Sequence, residues 1–199
     1  MTHALHDQAP DPIRPHELTR IVLRPLATPL PLGILALAFG SILLTALQLQ
    51  WLPPADGSQV AAVVLVLVVP LEVIAAVVAF LIRDVVMATG FGLLVGGWAA
   101  SSVLLLMGRP GELSPVLGTV AIALAGALLV PAASAAAEKP AAAVLFTVAA
   151  VRFGLTGAYE LGAGDHWATV SGAFGLVLVT TAAYSALAFA LEDARHRPV

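Results

Sequence analysis

The chain contains no cysteine. Disulfide frameworks, thiolate nucleophiles and thiolate metal sites are therefore excluded. Charge is scarce as well. Of 199 residues, 11% are charged, where a soluble domain carries roughly a quarter. The net charge of −3 marks no nucleic-acid partner. The alternation of apolar and polar residues that would signal a membrane barrel is missing. No Gly-x-Ser-x-Gly elbow, P-loop or His-Glu-x-x-His occurs, and Ser101 and Ser102 have no histidine in their own span. No enzyme activity, cofactor or metal is expected. Residues 1–25 hold four prolines and scattered charges, not the apolar core of a signal peptide.

What fills the chain is apolar. Hydrophobic residues make up 60% of it, and mean hydropathy is +0.99. This predicts an all-α integral membrane protein, because backbone groups inside lipid must satisfy one another. A span needs roughly 20 apolar residues. Six are predicted, at 27–50, 60–82, 85–107, 115–137, 141–159 and 169–191. Turn chemistry separates them at Pro53-Pro54-Ala55-Asp56-Gly57, Arg83-Asp84, Gly108-Arg109-Pro110-Gly111, Glu138-Lys139-Pro140 and Gly162-Ala163-Gly164-Asp165-His166. Arg83-Asp84 is short enough that spans two and three form either a tight hairpin or one bent segment. The domain reading is a cytoplasmic polar tail at 1–25, a six-helix transmembrane transporter domain at 26–192 and a cytoplasmic tail at 193–199.

Basic residues set the orientation. Arg14, Arg20, Arg24, Arg83, Lys139, Arg195 and Arg197 share one side if both termini lie there; only Arg109 falls opposite. Both termini are thus expected to be cytoplasmic, in a multi-pass protein of the cell membrane. His3, His6, Asp7, Asp11, His16 and Glu17 show no metal-ligand spacing and read as a solvated tail.

Several motifs stand out. Thr28-Pro29-Leu30-Pro31-Leu32-Gly33-Ile34 puts two prolines and a glycine at a helix start, where the missing N–H costs nothing. Thr28 is placed to cap it. Gly92, Gly96 and Ala100, and Gly118, Ile122 and Gly126, form small-residue ladders for close helix packing. Phe-Gly-Leu occurs at 91–93, 153–155 and 174–176 without a constant period, and 132–143 is alanine-rich. Glu72 and Arg152 lie near the middle of spans two and five. A central charge costs roughly 2.5–3.5 kcal/mol on insertion scales. Glu72 is expected to titrate a proton or gate, and Arg152 to attract an anion; otherwise the two pair with each other, or snorkel, for structural reasons. Pro70 predicts a helix break beside Glu72.

The opening motif resembles the Asn-Pro-Ala-Pro-Leu-Gly-Leu signature of the acetate uptake (succinate–acetate) transporter family, with Thr28 in place of the Asn. Ala88-Thr89-Gly90-Phe91-Gly92 looks like that family's Gly-Asn-Thr-Phe-Gly, with Asp84 as its preceding acidic residue. Leu155-Thr156-Gly157 and Gly172-Ala173-Phe174-Gly175 are similar to the region joining its last two helices. Ala183-Tyr184-Ser185-Ala186-Leu187-Ala188 with Leu191-Glu192 looks like the end of its sixth. Trp98 falls where a Tyr is usual, and span four lacks the family's Trp. The resemblance implies a six-helix protomer conducting acetate and related short carboxylates, succinate and monocarboxylates among them, commonly with protons, and assembled as a hexamer. By motif, Thr28, Pro29, Pro31, Leu32 and Gly33 would form the entrance. Phe91, Trp98, Ala182 and Tyr184 would lie along the path. A non-transporting oligomeric scaffold, a pathway for another small solute and an embedded enzyme remain as alternatives.

Overall fold

The structure, a computed structural model, describes residues 26–195. The polar tail at 1–25, with its histidines, acids and arginines, and Arg197 lie outside those residues. Six helices among the described residues are long and apolar enough to cross a membrane. Helix α1 spans Leu30–Gln48. The second span, Pro54–Leu81, is composite: a 3-10 turn at Pro54–Asp56, α2 at Gly57–Val63, a π turn at Val64–Val68 and α3 at Val69–Leu81. Then follow α4 (Val85–Met107), α5 (Pro115–Ala135), α6 (Pro140–Glu160) and α7 (His166–Arg195).

Local chemistry explains most of these bounds. Pro115 and Pro140 open α5 and α6, where a proline loses no hydrogen bond. The Pro53–Gly57 stretch, expected as loop, instead winds directly into α2, so the second span starts earlier than 60. Pro70 sits just past the π turn. It cannot donate to the carbonyl four residues back and would crowd it; the wider turn relieves that conflict within the helix.

Arg83-Asp84 forms a tight hairpin rather than a bend. Arg83 adopts φ 61°, the left-handed residue of a helix stop. Arg83 N–H donates to the Phe80 carbonyl and Asp84 N–H to that of Ala79, closing α3. Asp84 then caps α4, its Oδ1 accepting from Met87 N–H at 3.3 Å. Its Oδ2 accepts from Lys139 Nζ at 2.5 Å. That ion pair fastens the α3–α4 and α5–α6 turns to each other. Thr28 lies one residue before the cap position of α1, and its hydroxyl accepts from Leu30 N–H at 3.4 Å.

Contacts run from each span to the next, and α1 packs on α7. The spans therefore close a ring: α1, the α2–α3 span, α4, α5, α6, α7. The interior is filled by Ile34, Leu37, Met87, Phe91, Leu94, Trp98, Phe146 and Leu178. Large apolar side chains such as Val66, Val85, Val130 and Met107 cover the outside, as a lipid-facing surface requires. Gly118 and Gly157 bring the α5 and α6 backbones together. Gly92, Gly96 and Gly126 do not pack inside the ring; nothing approaches them.

Candidate solute pathway

Helix α1 presents one inward stripe: Gly33, Leu37, Gly40, Ser41, Thr45, with half-buried Gln48 continuing it. These positions recur every three or four residues, so they share a face. The glycines admit aromatic rings. A Cβ at Gly33 would land on the Phe91 ring, and one at Gly40 would come within 3.0 Å of the Trp98 indole. Trp98 meets Phe153 edge-on, with centroids 5.5 Å apart. The interior is thus plugged by Phe91 near the Leu30 end of α1 and by Trp98 and Phe153 further along.

Polar groups lie on both sides of the Trp98–Phe153 pair. Glu72 is 0% exposed. It lies beside Trp98, close enough for the indole N–H to bear on the carboxylate. Both carboxylate oxygens and the indole nitrogen are buried without a hydrogen bond. Arg152 is 1% exposed. Its Nη1 donates to Thr156 Oγ1 and, at 2.9 Å, to Ser171 Oγ. Its Nη2 has no partner. Thr156 and Ser171 share a further hydrogen bond of 2.8 Å, and Gln48 Nε2 donates to Thr156 Oγ1 at 3.3 Å. Ser41 and Thr45 hydroxyls are buried without partners. Inside lipid each such group is costly, so an arrangement with this many needs a reason.

Above Phe153 the ring opens into a vestibule of about 420 Å³. It sits where α1, α4 and α6 end and α5 and α7 begin. Gln48, Ser101, Phe153 and Thr156 line it, and Arg109, Glu112, Glu160 and Asp165 stand at its wall. The Arg109–Glu112 pair is exposed, at 3.4 Å, and contributes little. Glu160 Oε2 accepts from Ser114 N–H at 2.9 Å, tying α6 to the start of α5. At the opposite end, the Phe91 ring lies on Gly33 and the Phe146 ring on Gly90.

The residues expected from sequence divide into two sets. Pro29, Gly33, Glu72, Phe91, Trp98, Arg152 and Ala182 are buried, and Thr28 and Pro31 are half-buried at the start of α1. Leu32 and Tyr184 depart from expectation: they point outward, 37% and 74% exposed. On α7 the inward face is Leu178, Ala182, Ser185 and Ala186. Tyr184 lies two residues from Ala182, about 200° around the helix, so both cannot face inward. Of the alternatives for the two intramembrane charges, pairing of Glu72 with Arg152 is not met, since neither carboxylate oxygen has a partner. The sequence reading passed over Ser41, Thr45, Gln48, Phe153 and Ser171. The first three had a signal, polar residues spaced by four and three within an apolar span. Among the described residues no group of three acids or histidines could hold a metal.

No family model matches the sequence, and no curated protein matches it. The fold is shared with a solved structure, that of the bacterial acetate channel SatP, at a TM-score of 0.77 and 20% identity. The likeness covers 87% of this chain and 97% of that one.

Proposed function

We propose that the chain is a divergent member of the acetate uptake transporter family and carries acetate and related short carboxylates across the membrane through each protomer. The observation that supports it most is the likeness of fold to an acetate channel along 97% of that channel's length. A ring of six spans with a plugged interior and a polar row suits such a solute. Apolar rings with a few hydroxyls reject larger hydrated ions, and the solute is sheltered from lipid.

In this reading Thr28, Pro29, Pro31 and Gly33 shape the inner entrance. Phe91, Trp98 and Ala182 form the narrow part, and Arg152 attracts the anion. Glu72 gives movement its link to protons. Both termini are cytoplasmic, consistent with Arg83 and Lys139 at one end of the bundle and Arg109 at the other. The membrane is the cell membrane, and the protomers assemble as a hexamer.

The test is uptake of labelled acetate into vesicles holding only the pure protein. Uptake above that of empty vesicles is expected, reduced by unlabelled acetate and propionate. Absence of uptake in several lipids would turn the reading toward a scaffold or another solute. Gly33→Leu is expected to abolish uptake while leaving insertion intact, because a side chain there collides with the Phe91 plug. Wild-type uptake by that variant would return the opening motif to a simple helix start.

A further inference from the structure

We infer that Arg152 is the centre of a buried anion site, one helical turn below the vestibule floor, that takes the solute as its carboxylate anion rather than as the neutral acid. The inference rests on the carboxylate reading above and adds the form in which the solute is bound.

Hydrogen-bond accounting carries the argument. A guanidinium has five N–H donors and no acceptor. Nη1 is used by Thr156 and Ser171, while Nη2 is buried and unused. Thr156 Oγ1 accepts from Arg152 and from Gln48 Nε2, which fills both of its lone pairs. Its proton then goes to Ser171 or to the Arg152 carbonyl. The Thr45 hydroxyl stands by with no partner. What the cluster lacks is an acceptor for Nη2 and for the Thr45 O–H. Gln48 Oε1 is also unpaired. Turning that amide over, which leaves its shape unchanged, makes Thr156 the donor and converts the orphan into another N–H. A carboxylate supplies acceptors only and carries the missing charge. A protonated acid would set its own O–H against these donors.

Placement agrees. Among the described residues no carboxylate pairs with Arg152: Asp84 pairs with Lys139, Glu112 with Arg109, and both oxygens of Glu72 are unpaired. Gly175 lets the guanidinium lie against α7, since a Cβ there would overlap the Thr45 hydroxyl and come within 3.0 Å of Arg152 Nε. Thr156 and Gln48 line the vestibule. Gln48 holds its place by a single long hydrogen bond of 3.3 Å. Its displacement exposes the guanidinium to a solute that has entered.

The experiment compares acetate with acetamide, its neutral isostere, as stabilisers of the purified full-length protein at constant ionic strength. Binding to the folded state raises Tm in a saturable way. Acetate is expected to do so and acetamide not. Arg152→Gln should weaken acetate binding at least tenfold. Arg152→Lys should weaken it less, since charge stays while the planar fork is lost. Thr45→Val and Ser171→Ala, which keep shape, should each weaken it severalfold and serve if the arginine variants do not fold. Equal stabilisation by acetamide, or wild-type acetate affinity in the variants that fold, would overturn the site. Acetate uptake that keeps its preference over acetamide in Arg152→Gln overturns the site but leaves the pathway. Arg152-dependent stabilisation by acetate without any uptake supports the site and removes the transport reading.

Discussion

Glu72 is a carboxylate with no charged partner, beside the Trp98 indole, in a place where charge is expensive. The structure separates it from Arg152, so replacing it with Gln leaves no opposing charge stranded. Glu72→Gln is therefore expected to change unfolding stability by no more than about 1 kcal/mol, the scale of one polar interaction. If the pair existed, the same change would cost about 3–5 kcal/mol, and Arg152→Met would partly restore it. Melting temperatures of the two single variants and the double decide between these outcomes. The proton-linked reading further expects Glu72→Gln to flatten the pH dependence of uptake while acetate still binds; a wild-type pH profile would end the coupling role. Both intramembrane charges were legible in the sequence because each interrupts an apolar run. Their separation was not, since depth along two spans says nothing about which way each side chain faces. Tyr184 fails for the same reason, being read from a linear motif without its helical phase.

Helix existence was the most legible layer, because a run of some twenty apolar residues allows little else. The hairpin at Arg83-Asp84 and the caps at Asp84 and Ser114 follow from local chemistry. The π turn at Val64–Val68 was only half legible. Pro70 announced a disturbance, but the valines and leucines before it suit an α or a π turn equally. The distinction matters because one extra residue shifts the inward face by about 100°. That shift sets the phase that buries both Val68 and Glu72. Pro70→Ala restores an N–H and removes the cause of the bulge. Thermal stability is expected to change little, since relief of the interior proline's cost of about 3 kcal/mol is offset by turning Glu72 toward lipid. Acetate uptake is expected to fall as Glu72 turns from the interior. A variant that folds and still takes up acetate at the wild-type rate would show that the bulge has no part in the pathway.

The ring as a whole leaves one feature without use inside the protomer. Gly92 and Gly96 of α4 and Ala123 and Ala127 of α5 line an outer groove of about 370 Å³, and a Cβ at either glycine would meet nothing. The sequence showed this ladder as a packing surface without showing its partner. The six spans already close on one another, so the groove is free for a second copy. Small residues let helix backbones approach closely in lipid, where packing rather than hydrophobicity drives association. Gly96→Leu puts a branched side chain into the groove without touching the interior. Wild-type protein is expected to run as a homo-oligomer, a hexamer by the family resemblance, in mild detergent. Gly96→Leu is expected to shift it toward monomer while leaving its melting behaviour largely intact. Native mass measurement on both proteins makes the check. If Gly96→Leu stays fully assembled, the contact lies elsewhere on the ring; if wild-type protein is monomeric in several lipids, the expectation of a homo-oligomer fails.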